Sequence, residues 1–155
     1  FGASLKFILN GGSCTIGLES TVVDLTSKVK ILRPGLINPS DISKVLNKKT
    51  NVYKGTKIIK SPGMLKRHYS PGIRIKLNQK KAKNNEAFIV FGKKYKKAKN
   101  IFNLSSKSNL NEAARNLYKI LRLIKNKNYK MICVSSIPQT GIGLAINDRL
   151  SRAAK

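Results

Sequence analysis

Three places in this sequence carry side chains that could meet a small polar ligand. Ser20 stands in Glu19-Ser20-Thr21, at the start of a β-branched run. It has no histidine neighbour and no Gly-x-Ser-x-Gly elbow, so its hydroxyl reads as a hydrogen-bonding group rather than a nucleophile. Arg33 closes a short apolar run just before Pro34-Gly35. A guanidinium at a strand end suits phosphate or carboxylate through paired, charge-assisted bonds. The plainer alternative for Arg33 is a surface ion pair, although the chain has only 6 acidic residues. The third place is Ser61-Pro62-Gly63-Met64-Leu65-Lys66-Arg67-His68-Tyr69-Ser70-Pro71. Two prolines and a glycine keep this stretch out of regular structure. It still carries the only histidine, His68, and the phenol of Tyr69 beside it. Extended, it spans roughly 36 Å, enough to join two units and cross a cleft between them. The plainer alternative is an ordered linker whose Tyr69 packs on a domain face. His68 taken alone is an exposed loop histidine.

Other chemistry is sparse. Thr140-Gly141-Ile142-Gly143 lies between a strand and a helix, where backbone N–H groups can face an anion. A dinucleotide fingerprint needs a third glycine at position 146, where Ile146 stands. A tight turn and a nucleotide pocket both fit. Cys14 and Cys133 are far apart and make no CxxC, and one histidine completes no metal set. Two buried free thiols are expected. No paired carboxylates occur, so no catalytic side chain and no metal ligand is assigned.

The elements that must position these residues follow from local pattern. Thr21, Val22 and Val23 predict a strand, and Val29 to Leu32 a second, with Thr26 to Lys28 as the turn of a hairpin. Asn38 caps a short helix with Pro39 at its first position, Asp41 in its first turn, and Ile42, Val45 and Leu46 on one face. From Asn51 to Lys60 the chain reads as irregular. Beyond Pro71 the grammar changes. Ile73 to Leu77 alternates and predicts a strand with one wet face. Phe88 to Phe91 predicts a buried strand, and Ile101 to Leu104 a further short one. Asn109 with Glu112 makes a capping box. It opens a helix to about Lys127 whose apolar stripe is Leu110, Ala113, Ala114, Leu117, Leu121 and Ile124. Met131 to Ile137 reads as another buried strand. Gly141 to Ala154 reads as a last helix, with Leu144, Ala145 and Leu150 on its apolar face. Strand, helix, strand, helix implies a small α/β unit with a parallel pair.

The chain has 155 residues, of which 41% are hydrophobic, enough for a core in one domain or two small ones. No apolar run approaches the roughly 18 residues of a membrane span, and no signal peptide is seen at the start. The first residue is Phe1, which reads as mid-domain sequence and points to a fragment or a processed chain. The formal charge is +26, from 32 basic and 6 acidic residues. Such a field attracts polyanions and predicts salt-sensitive binding to tRNA or double-stranded RNA. Abundant lysine, asparagine and isoleucine also fit an AT-biased coding composition. No RNP-type aromatic signature is present.

Three stretches in series carry a family resemblance. Gly11 to Leu25 followed by Ile31-Leu32-Arg33-Pro34-Gly35 resembles the second half of a YrdC-like domain. Ser61-Pro62-Gly63-Met64 with His68-Tyr69-Ser70-Pro71 resembles the interdomain linker of the two-domain threonylcarbamoyl-AMP synthases. Gly141 to Leu150 with Arg152-Ala153-Ala154 is similar to the end of that family's C-terminal domain. The resemblance implies an α/β chain in three parts. Residues 1–60 would be the C-terminal part of the YrdC-like catalytic domain, a twisted α/β sheet. Residues 61–72 would be a linker and lid, and 73–155 a small Rossmann-like α/β domain. It implies a cytoplasmic nucleotidyltransferase that condenses L-threonine, bicarbonate and ATP, with Mg2+ carried by the ATP. Its partners would be the proteins that move the threonylcarbamoyl group onto tRNA. By position, Ser20 would contact threonine, Arg33 and Tyr69 would contact ATP, and His68 would neighbour them. The family's upstream half, with its triphosphate-gripping residues, is missing from these 155 residues. They are therefore expected to lack synthase activity alone, and the first part is expected to be poorly stable. The alternative is a basic RNA-binding module without catalysis.

Overall fold

A computed structural model describes residues 2–53, Pro62 and residues 69–154. The β-branched runs near the start pair as expected. Val22–Asp24 (β1) and Lys30–Arg33 (β2) form an antiparallel hairpin with a register shift between Val22 and Val23. Asp24 Oδ1 closes the turn, accepting from the Thr26 amide at 3.0 Å and the Thr26 hydroxyl at 2.6 Å; this side-chain mimicry of a backbone turn is what aspartate offers. Asn38 caps Pro39–Leu46 (α1) in a two-way box. Its Oδ1 accepts from the Ser40 and Asp41 amides, and Asp41 accepts from the Asn38 amide at 3.1 Å.

The irregular run expected from Asn51 is corrected at its start. Asn51–Val52 (β3) pairs in parallel with β2. The cause is Thr50, which is buried beneath α1. Its amide donates to Ser43 Oγ at 2.9 Å and its hydroxyl to the Pro39 carbonyl at 2.9 Å, which turns the chain back beside β2.

The second sheet is parallel throughout, in the order β4-β7-β5-β6. Its strands are Ile75–Lys76 (β4), Ala87–Val90 (β5), Ile101–Asn103 (β6) and Ile132–Val134 (β7). The alternation expected over 73–77 is present, with Ile75 buried between exposed Arg74 and Lys76, but only two residues join the ladder. Leu110–Lys125 (α2) and Gly143–Ala153 (α3) complete the unit. Period-two alternation sends Ala87, Ile89, Ile132 and Val134 toward the two helices and Phe88, Val90 and Cys133 to the other face. That second face is closed by Ala82, Tyr95, Ile101 and Met131.

The stripe of α2 is buried at Ala113, Ala114, Leu117, Leu121 and Ile124, as its spacing predicts. Its cap departs from a simple box. Asn109 accepts from the Glu112 amide at 2.9 Å, but the return passes through Ser105, whose hydroxyl accepts from the Asn109 amide and donates to Glu112. The last helix begins two residues later than expected. Its buried face is Gly143, Ala145, Ile146, Arg149, Leu150 and Ala153, with Leu144 only half-buried. Both cysteines are free; Cys133 is buried, but Cys14 is exposed, contrary to expectation, because its segment lies outside both sheets.

The two parts share a core. Leu18 is buried in the cluster formed by α2, α3 and the second sheet, and Ile16 packs against it. Gly17 makes this docking possible. Its φ is +74°, and a Cβ there would lie 2.6 Å from the Arg115 Cα of α2.

Candidate active site

Ser20 sits one residue beyond this docked segment and is exposed. It is pinned from both sides. Arg33 reaches across the hairpin, its Nε donating to the Ser20 carbonyl at 3.0 Å. The pairing of Val22 with Arg33 puts that guanidinium level with the strand start. Arg33 Nη1 donates to the Pro62 carbonyl at 3.1 Å, so the same side chain ties the linker down. On the other side stands Glu19. Its carboxylate accepts from Tyr118 Oη of α2 at 3.0 Å to each oxygen and from Arg149 Nε of α3 at 2.9 Å.

Among the described residues, Arg149 is the largest fully buried side chain, at 1% exposure. A buried guanidinium needs its charge and donors met. Glu19 and Asp148 supply the charge, with Asp148 Oδ2 accepting at 2.8 Å; Asp148 in turn is held by Arg152. Burial pulls the Arg149 pKa down, but the hydrogen bond and charge of Glu19 outweigh it and raise it. For Glu19, burial pushes upward, yet the Arg149 hydrogen bond and charge, with the Tyr118 phenol, hold it below the ordinary value. Burial first, then the Glu19 charge, push the Tyr118 phenol far up, so it remains a donor.

Tyr69 closes the arrangement. Its ring stacks on Tyr118 at 5.6 Å and 29°, and the Arg149 guanidinium lies 5.4 Å from its centroid. Its φ is +68°, a left-handed backbone that costs a non-glycine residue energy. The stack, the cation and the Glu19 carboxylate together hold it there. Burial raises its phenol pKa, with Arg149 opposing and Glu19 adding to the rise; the Arg33 charge is also felt.

Of the residues singled out from the sequence, Ser20, Arg33 and Tyr69 therefore meet around Glu19. His68 lies outside the described residues. Glu19, Tyr118 and Arg149 went unassigned. One signal pointed to the last: Arg149 interrupts the apolar stripe of α3, between Ala145, Ile146 and Leu150, Ala153. Thr140 to Gly143 forms a tight turn. A Cβ on Gly143 would lie 2.1 Å from the Pro138 carbonyl, so close packing accounts for that glycine.

The arrangement offers a free-standing serine hydroxyl, a guanidinium at a strand end and a phenol on a connecting segment. Such groups can orient a small polar molecule and an anion. The family described as threonylcarbamoyl-AMP synthase, C-terminal domain, matches residues 37–155. The threonylcarbamoyl-AMP synthase of Pyrococcus abyssi is 32% identical over 174 residues, covering 99% of this chain and 51% of that protein. The enzyme of that name from Bacillus subtilis is 30% identical over 173 residues, covering 95% and 48%. The crystal structure of P. abyssi Sua5 complexed with L-threonine superposes with a TM-score of 0.83 at 28% identity, over 99% of this chain and 51% of that one. The chain thus spans about half the length of the relatives it matches, and it belongs to the threonylcarbamoyl-AMP synthase family.

Proposed function

We propose that the protein is an L-threonylcarbamoyladenylate synthase, a cytoplasmic nucleotidyltransferase acting before tRNA modification. The threonine amine and bicarbonate form a carbamate with loss of water. A carbamate oxygen then attacks the α-phosphorus of MgATP, and pyrophosphate leaves. The product passes to the proteins that transfer the threonylcarbamoyl group to tRNA. Ser20 would bind threonine, Arg33 would face the phosphates, and Tyr69 would close over the nucleotide. Two of the Arg33 donors already hold Ser20 and Pro62, so it would act as much by positioning as by charge. His68 would lie next to this lid.

The observation that supports this reading is Ser20 fixed between Arg33 and the Glu19–Arg149 pair, with Tyr69 held beside them on a strained backbone. The test is pyrophosphate release by the chain expressed with its upstream coding sequence. Release that requires both threonine and bicarbonate, with a raised threonine KM in Ser20→Ala, is expected. Release indifferent to threonine overturns the reading. The net charge of +26 favours a second one, a basic RNA-binding module. It predicts RNA binding that weakens steeply with salt and is unaffected by Tyr69→Ala.

A further inference from the structure

The carboxyl edge of the parallel sheet opens into a crevice of about 530 Å3. It is formed where three strands end. Gln79 and Lys80 follow β4, Phe91, Lys94 and Tyr95 follow β5, and Ser136 follows β7. Ligands of parallel α/β sheets commonly bind at the carboxyl edge. The volume lies within the range of small-molecule sites.

The lining selects a ligand class. Two lysines and no acidic side chain line the crevice among the described residues, so an anion is favoured. One wall is aromatic. Tyr95 is fixed edge-on by Phe88 at 5.7 Å and 89°, and Lys94 Nζ stands 5.2 Å over its ring; Phe91, half-buried, packs toward the helix-side core at the same edge. Gln79 is held at the mouth, its amide donating to the Val134 carbonyl at 2.8 Å and its side chain to the Leu77 carbonyl at 2.6 Å.

We propose that this crevice binds a small phosphorylated ligand carrying a flat ring, of the mononucleotide class. The phosphate lies between Lys80, Lys94 and the Ser136 hydroxyl, and the ring packs against Tyr95. The site shares no residue with the Ser20–Arg33–Tyr69 cluster and does not depend on its function.

The experiment is a titration of the 15N-labelled full chain with AMP, inorganic phosphate and adenosine at physiological salt, followed by NMR. AMP should give saturable shifts at the amides of Gln79, Lys80, Lys94, Tyr95 and Ser136. Phosphate should move the same amides more weakly, and adenosine least. Lys94→Gln should weaken AMP binding at least fivefold. Ser136→Ala should weaken it without lowering the melting temperature, which separates ligand binding from a structural role. AMP binding no tighter than inorganic phosphate overturns the proposal. So do shifts spread over the surface lysines, or no shift at the crevice.

Discussion

The two sheets of this chain are built from strands of similar length but differ in what covers them. The parallel sheet β4–β7 has two helices on one face and loop residues on the other, and its central strands β5 and β7 are buried at every position. Among the described residues, the hairpin sheet β1–β3 has only α1 beside it, and α1 buries no residue. Val45 is 86% exposed there, and among the described residues every exposed large apolar side chain except Leu123 precedes residue 47. Local capping and turn chemistry are as good in the first part as in the second. Local order therefore does not make a core; cover does.

Substitutions should reveal this contrast as an ordered series. Leu117→Ala, at a fully buried position of α2, should cost about 2–5 kcal/mol, read from the urea midpoint. Arg149→Met should cost about 3 kcal/mol, the low end for breaking a buried pair, because Glu19 is one-third exposed and can rehydrate. A double-mutant cycle with Glu19→Leu should recover part of that loss; full additivity would mean the pair contributes nothing jointly. Asn38→Ala should cost about 1 kcal/mol, confined to exchange protection of α1. Val45→Ala should change stability by less than about 0.5 kcal/mol, and a larger loss would show that the α1 face is covered in solution.

Acid should act on the junction between the regions. Glu19 titrates below the ordinary 4.5 when folded. Its contribution is therefore complete above that value and lost as pH falls through the depressed one. The stability of wild type should fall below the ordinary value of 4.5 more steeply than that of Glu19→Gln, as followed by unfolding midpoints. Equal slopes would remove Glu19 from the junction.

Most of the secondary structure was legible in the sequence because its signals are local. Asn38-Pro39, the α2 stripe and the unbroken apolar run at Phe88 each act within a few residues. β3 was not legible, since two residues carry no periodicity and their pairing depends on Thr50 packing under α1. Ser20, Arg33 and Tyr69 were legible as residue types in suggestive places and through family resemblance. The group that holds them was hidden by distance: Tyr118 and Arg149 meet Glu19 across 99 and 130 positions. An arginine inside an apolar stripe was the single local trace of that contact.

Tyr69 is held between the two regions, and under the proposed function it acts on the reaction rather than merely joining them. The direct test is threonine-dependent pyrophosphate release by the chain with its upstream coding sequence, comparing wild type with Tyr69→Ala. A fall of at least about tenfold in kcat/KM, equivalent to about 1.4 kcal/mol of transition-state stabilisation, with an unchanged melting temperature, is the predicted result. Undiminished turnover by the variant would contradict the account and leave Tyr69 as packing in the linker.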